Sequence, residues 1–134
     1  MAEQPTQEQI KEFWEWCGFN SRLVWSDPAD IGGRHQFKVW DYPDGSGVTQ
    51  HLSVNPPIDL NNLFKYAVPK CPQFQDLART NKGWLVTYIS GYVDLPRIGR
   101  YPIFDEVEAE DPALALFWAL WQVREVSNSK EEKH

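Results

Sequence analysis

Helix, strands, helix, strands, helix is the order in which structure-forming segments follow one another in this 134-residue chain. That order predicts an α+β fold: a mostly antiparallel sheet of about four to five strands with helices packed on its faces, an α-β-α layered sandwich. Three observations carry the expectation. Apolar residues recur at helical spacing near the amino end and run almost unbroken at 113–121. Strand-like segments are joined by short connections rich in Gly and Pro, which favours antiparallel pairing. Hydrophobic residues make up 42% and charged residues 24%, a balance that supports one packed core and argues against disorder.

Residues 6–17 read as the first helix. Thr6 and Gln9 have the spacing of a capping box, and Ile10, Phe13, Trp14 and Cys17 fall on one stripe. Gly18 suits the position just past the helix end. A strand is expected to begin within 22–25, followed by a loop over 26–34, where Asp27-Pro28 and Gly32-Gly33 interrupt regular structure. Segments 36–42 and 48–54 then flank Pro43-Asp44-Gly45-Ser46-Gly47 as a β-hairpin. One face of that hairpin carries Phe37 and Val39 and reads as core. The other carries Lys38, Trp40, Tyr42 and His51, a polar but aromatic face open to solvent, a covering helix or a partner.

A second helix is predicted over 59–68, capped by Asp59 and ended by Pro69, with Leu60, Leu63, Phe64 and Ala67 along its stripe. A short helical turn is expected at 74–78. Segments 84–93 and 101–109 read as paired strands around a connection at 94–100 that holds Pro96 and Gly99. The last helix starts with Asp111 as cap and Pro112 at its first position. It runs to about Val126 and is apolar nearly all round through Trp121, the pattern of a helix buried on several sides. The domain is thus expected to span 1–126, with a charged tail at 127–134.

The net charge of −6 argues against a phosphate backbone as partner. The longest apolar run, nine residues, is well short of the ~20 that a membrane span needs. Cys17 and Cys71 stand far apart with no metal-ligand spacing, and the amino end has no charged-then-apolar leader pattern, so a reducing cytoplasm is expected.

Chemistry leaves few candidates. No nucleophile elbow or phosphate-cradling loop is present, no catalytic residue can be assigned, and nothing calls for a cofactor or a metal. The acidic segment 105–111 could hold a hard cation and support a metal-assisted hydrolase. The plainer explanations are favourable interaction with the following helix's positive end and a charged strand edge that resists aggregation. The surplus of aromatics, seven Trp among nineteen rings, is the stronger lead. Trp25, Trp40, Tyr42, His51 and Trp84 are the candidate binding residues, either for a protein partner or a second copy of the chain, or for a small ligand or nucleotide stacked on the hairpin.

Two segments carry a family resemblance. They are Pro57-Ile58-Asp59-Leu60-Asn61-Asn62-Leu63-Phe64-Lys65-Tyr66-Ala67-Val68-Pro69-Lys70 and Asp111-Pro112-Ala113-Leu114-Ala115-Leu116-Phe117-Trp118-Ala119-Leu120. In them the chain resembles the small phage and prophage proteins grouped as the phage ABA sandwich domain. That family has a Leu-Phe-x-Tyr-like helix and an Asp-Pro-Ala-x-Ala-Leu helix start. The resemblance implies an α-β-α layered fold with no established activity, and it carries no catalytic residues with it. The aromatic surplus, the acidic surface and the absence of a catalytic constellation lead to the expectation of a non-enzymatic accessory protein of a phage or prophage acting by protein contact.

Overall fold

A computed structural model describes residues 3–25, 36–48 and 55–132, with backbone alone for Phe37 and residues 127–132. The chain divides into two compact units: Pro5–Pro57, and Met1–Gln4 together with Ile58–His134.

In the first unit, α1 spans Gln7–Trp16. Both halves of the capping box form. Thr6 Oγ1 accepts from Gln9 N at 3.1 Å, and Gln9 Oε1 accepts from Thr6 N at 2.9 Å. At the other end Gly18 takes φ 105°, a left-handed conformation that Gly adopts without penalty. Its N–H reaches Glu15 O and the N–H of Phe19 reaches Trp14 O, so the last carbonyls of the helix are satisfied. Phe13, Trp14, Cys17 and Phe19 are buried, and their rings meet edge to face or tilted at centroid distances near 5 Å. Trp14 Nε1 donates to Pro56 O at 2.8 Å, and Asn55 Nδ2 donates to Gln7 O, so the end of the unit is tied to its first helix.

Strands β1 (Asn20–Trp25) and β2 (Gln36–Asp41) pair antiparallel, from Asn20 opposite Asp41 to Trp25 opposite Gln36. The turn expected after β2 forms. Gly45 N donates to Tyr42 O, Tyr42 N donates to Gly47 O, and Asp44 Oδ1 accepts from Ser46 N. Beyond it the isolated bridge Asp41–Val48 is described; the remainder of the expected second strand, 49–54, lies outside the described residues. Val39 is buried as expected, but so is Trp40 on the opposite side of the strand, so β2 is covered on both faces at this point.

The second unit holds α2 (Leu60–Asn62), a π-helical turn Leu63–Ala67 and a 3-10 turn Val68–Lys70. Asp59 caps the segment as its sequence predicts, accepting from Asn62 N at 2.8 Å. The widening has a cause in Pro69, which lacks an N–H and whose ring collides with the carbonyl four residues back in a regular α-helix. Val68 N instead reaches Leu63 O, five residues back. Leu63, Tyr66 and Ala67 face inward, whereas Phe64 is exposed against Phe74.

Strands β3 (Phe74–Thr80), β4 (Gly83–Leu95) and β5 (Gly99–Ala109) form one antiparallel sheet in that order. The helical turn expected at 74–78 is therefore a strand. Helix propensities differ by only tenths of a kcal/mol per residue, and the long neighbouring edge of β4 offers this segment a full ladder. The tight turn between them depends on Gly83, φ 144°. A Cβ there would collide with Ala109 O and lie 2.7 Å from Glu110 Cα.

The single sheet of four to five strands expected from the sequence is also corrected. Among the described residues five strands belong to two sheets, of two and three. Each strand pairs with its neighbour in sequence, and the 60–70 helical segment separates the two groups.

The last helix, α3 (Pro112–Glu132), extends six residues past its expected end, through Ser127-Asn128-Ser129 into Lys130-Glu131-Glu132. Asp111 Oδ2 accepts from Leu114 N at 3.0 Å, as its sequence position requires. Leu114, Ala115, Leu116, Phe117, Ala119, Leu120 and Val123 are buried, against Val86 and Tyr88 of β4 and Ala109 of β5. Trp118 is half-buried, and its Nε1 donates to Glu3 O. No helix among the described residues is long and apolar enough to cross a membrane.

Leu116→Ala should cost about 2–5 kcal/mol in urea unfolding, and Asp111→Ala about 1 kcal/mol. A Leu116→Ala loss well under 1 kcal/mol would place α3 outside the core.

Candidate functional site

The residues singled out from the sequence do not stand together. Trp40 is fully buried, with Lys38 Nζ 5.0 Å from its ring centroid, so its ring is not offered on an open face. Tyr42 is half-buried and edge-on to Phe19 at 5.6 Å. Trp25 is exposed at the end of β1. Trp84 belongs to the other unit, half-buried, with the Arg79 guanidinium 6.0 Å from its ring. His51 lies outside the described residues.

The acidic segment does separate jobs rather than one. Glu108 Oε2 accepts from Thr80 Oγ1 across the sheet at 2.9 Å, Asp105 Oδ1 accepts from Glu106 N, and Asp111 caps α3. All five carboxylates of 105–111 are exposed. No three His, Cys, Asp or Glu side chains among the described residues converge to hold a metal ion, which removes the geometry a metal-assisted hydrolase on this segment requires. Cys17 and Cys71 are free and buried. Burial pushes the Cys71 thiol to about 12, so it is protonated and inert at neutral pH.

A different surface emerges from the β4–β5 hairpin. At ~3.3 Å per residue the 13 residues of β4 extend about 43 Å. The buried stretch of α3, Leu114 to Val123, advances about 15 Å at 1.5 Å per residue. The helix thus covers only the base of the hairpin. No residue from 89 to 108 is buried. Seven large apolar side chains in this stretch, Tyr92, Val93, Leu95, Ile98, Tyr101, Ile103 and Phe104, are 37–63% exposed.

The register shows how they are distributed. A bulge between Ile89 and Gly91 shifts the pairing, after which Tyr92 lies opposite Pro102, Val93 opposite Tyr101 and Asp94 opposite Arg100. Alternation then puts Val93, Tyr101 and Ile103 on one face and Tyr92, Pro102 and Phe104 on the other. The arm is apolar on both sides. It closes through a tight turn in which Ile98 N donates to Leu95 O, Pro96 leads, and Arg97 takes the left-handed conformation at φ 70°.

Charge is arranged along the arm. Arg97 and Arg100 stand at its tip, and the Arg100 guanidinium lies 4.1 Å over the Tyr92 ring. Asp105, Glu106 and Glu108 stand toward its base. Beside the bulge, Gln73, Tyr88, Ser90, Tyr92 and Val123 line a cleft of about 370 Å³, counted out to open solvent. Gln73 Oε1 is buried there without a hydrogen-bond partner, an acceptor available to an incoming donor.

The sequence signal for this arm was present in the loss of alternation at 92–104, where apolar residues occupy both parities. Such a run normally marks a strand buried on both faces. Only the length of the covering helix shows that the burial is missing.

The chain matches no model of a known protein family, and neither the curated proteins nor the solved structures yield a significant match.

Because the folded Cys71 thiol ionises near 12 and the unfolded one near its ordinary 9.0, the native state keeps its proton longer. Stability from this source is complete below pH 9 and is lost as pH rises toward 12. Tyr88, raised by burial and then by Asp105, acts in the same sense. Unfolding free energy should therefore fall with pH above about 9, and Cys71→Ala should show a shallower alkaline slope. An unchanged slope would mean the thiol is already solvated in the folded chain.

Proposed function

We propose that this chain is a non-catalytic accessory protein, of the kind found in phages and prophages, that works in a reducing cytoplasm by holding a protein partner on its β4–β5 arm. The observation that carries this reading is the two-sided apolar arm. At roughly 150–250 Å² for a large side chain, the exposed fractions amount to about 500–850 Å², shared between the two faces of the arm. The largest apolar patch on a typical monomer is about 300–600 Å², and one partner's share of a standard protein interface is about 800 Å². Leaving such an arm in water carries a cost that contact with a protein removes.

Composition points the same way. Tyr92, Tyr101 and Phe104 beside Arg100 are the residue types that dominate binding energy at protein interfaces. Arg100, held over Tyr92, is already ordered for contact. The phage-type setting rests on the two helix segments at 57–70 and 111–120 alone. A stacking site for a nucleotide or sugar would need open rings around a pocket, and the burial of Trp40 takes away its central ring.

A photo-reactive amino acid placed at Ile98 or at Phe104, in the full chain expressed in cells, should yield protein adducts, while the same group at Glu8 on the exposed side of α1 should not. Arm positions that give no adduct above the Glu8 control would defeat the reading.

A further inference from the structure

The face of the arm turned away from α3 is self-complementary along its length. By alternation β5 presents Arg100, Pro102, Phe104, Glu106 and Glu108 on that face, with Tyr92 and Ile89 beside them on β4. α3 covers the opposite face, where Val86 and Tyr88 are buried. Along β5 itself the open face reads basic, apolar, acidic from Arg100 to Glu108, with Asp94 of β4 beside Arg100 at the tip. Phe104 stands four residues from Arg100 and four from Glu108, about 13 Å in either direction.

Resting on the arm being a protein-contact surface, we propose that its partner is a second copy of this chain, the two arms stacked antiparallel through their open faces about a two-fold axis at Phe104. That operation puts the Phe104 rings together at the centre. It brings Arg100 against Glu108 of the partner subunit, and by symmetry Glu108 against Arg100 of the partner subunit. A parallel arrangement would set Arg100 against Arg100 and Glu108 against Glu108 of the partner subunit, so these two residues favour the antiparallel one.

Two further features fit this occupant. A two-fold dimer needs no patch beyond the one already present, because each copy offers the other the same face, with Tyr92 and Phe104 exposed on it. Glu108 gives Oε2 to Thr80 and Arg100 is fixed over Tyr92, so both members of the intersubunit pair are oriented before the chains meet.

Sedimentation equilibrium of the full chain at up to about 100 µM should show a dimer, and Phe104→Asp should abolish it with the far-UV spectrum and melting curve unchanged. Arg100→Glu and Glu108→Arg should each weaken self-association about tenfold, because each substitution acts twice in a symmetric pair. The decisive result is the mixture. Arg100→Glu combined with Glu108→Arg restores both charge pairs in the heterodimer, so an equimolar mixture should associate to within about threefold of the parent chain. Within one chain Arg100 and Glu108 are about 26 Å apart, beyond the ~8–10 Å over which salt leaves their attraction intact, so rescue can only come from between chains.

A monomeric parent chain, or a mixture that fails to recover, would overturn the antiparallel pairing. If the parent chain is monomeric while the Phe104 photo-adduct has the mass of a different protein, the arm remains a contact surface and only the second copy falls. If no adduct forms at all, both ideas fall.

Discussion

Much of the second unit follows from a mismatch of lengths. A strand gains more than twice as much length per residue as a helix, and α3 turns polar after Val123. Its apolar stretch can dry only the part of the sheet nearest Ala109, where Gly83 and Glu110 also come together without room for a Cβ. Everything farther out on β4 and β5 is held by the backbone ladder and the tight turn at Pro96-Arg97. The sheet is thus an extension anchored at one end by close packing, with apolar side chains that α3 does not cover.

The same mismatch separates core from function. Residues that pack under α3 contribute stability and are small, aliphatic or ring-bearing without free polar groups. Residues beyond the bulge contribute little to the core and carry exposed aromatic and guanidinium groups. The bulge at Ser90 marks the boundary. It shifts the pairing next to the cleft that Gln73 lines. Anchoring one end of a long hairpin in this way lets the far end be shaped by contact without endangering the fold.

The caps and stripes were legible because they are local. Thr6 with Gln9, Asp59 and Asp111 all bond as their spacing requires, and the burial of α3 follows from its unbroken apolar run. The paired strands at 84–93 and 101–109 were also readable from β-branched and aromatic residues around a Pro and Gly connection. What was not legible depended on distant partners. Phe74–Ala78 has helical composition and becomes a strand because β4 lies alongside. Trp40 occupies the side of β2 that its polar neighbours mark as open, yet it is buried. The aromatic surplus led to Trp40, which is buried, and not to Tyr92, Tyr101 and Phe104, which are exposed. Alternation assigns faces within a strand, but it does not say which faces another element will cover.

Pro102 sits near the middle of β5, the outermost strand of its sheet. A proline there has no hydrogen to give, and such residues are tolerated at a sheet's margin because that side meets solvent. An exposed, oily strand would otherwise be an open template for endless lateral growth. With one rung missing, a foreign or sister strand cannot complete an uninterrupted zipper along β5. Exposed apolar side chains and a guard against growth into fibres thus share one strand.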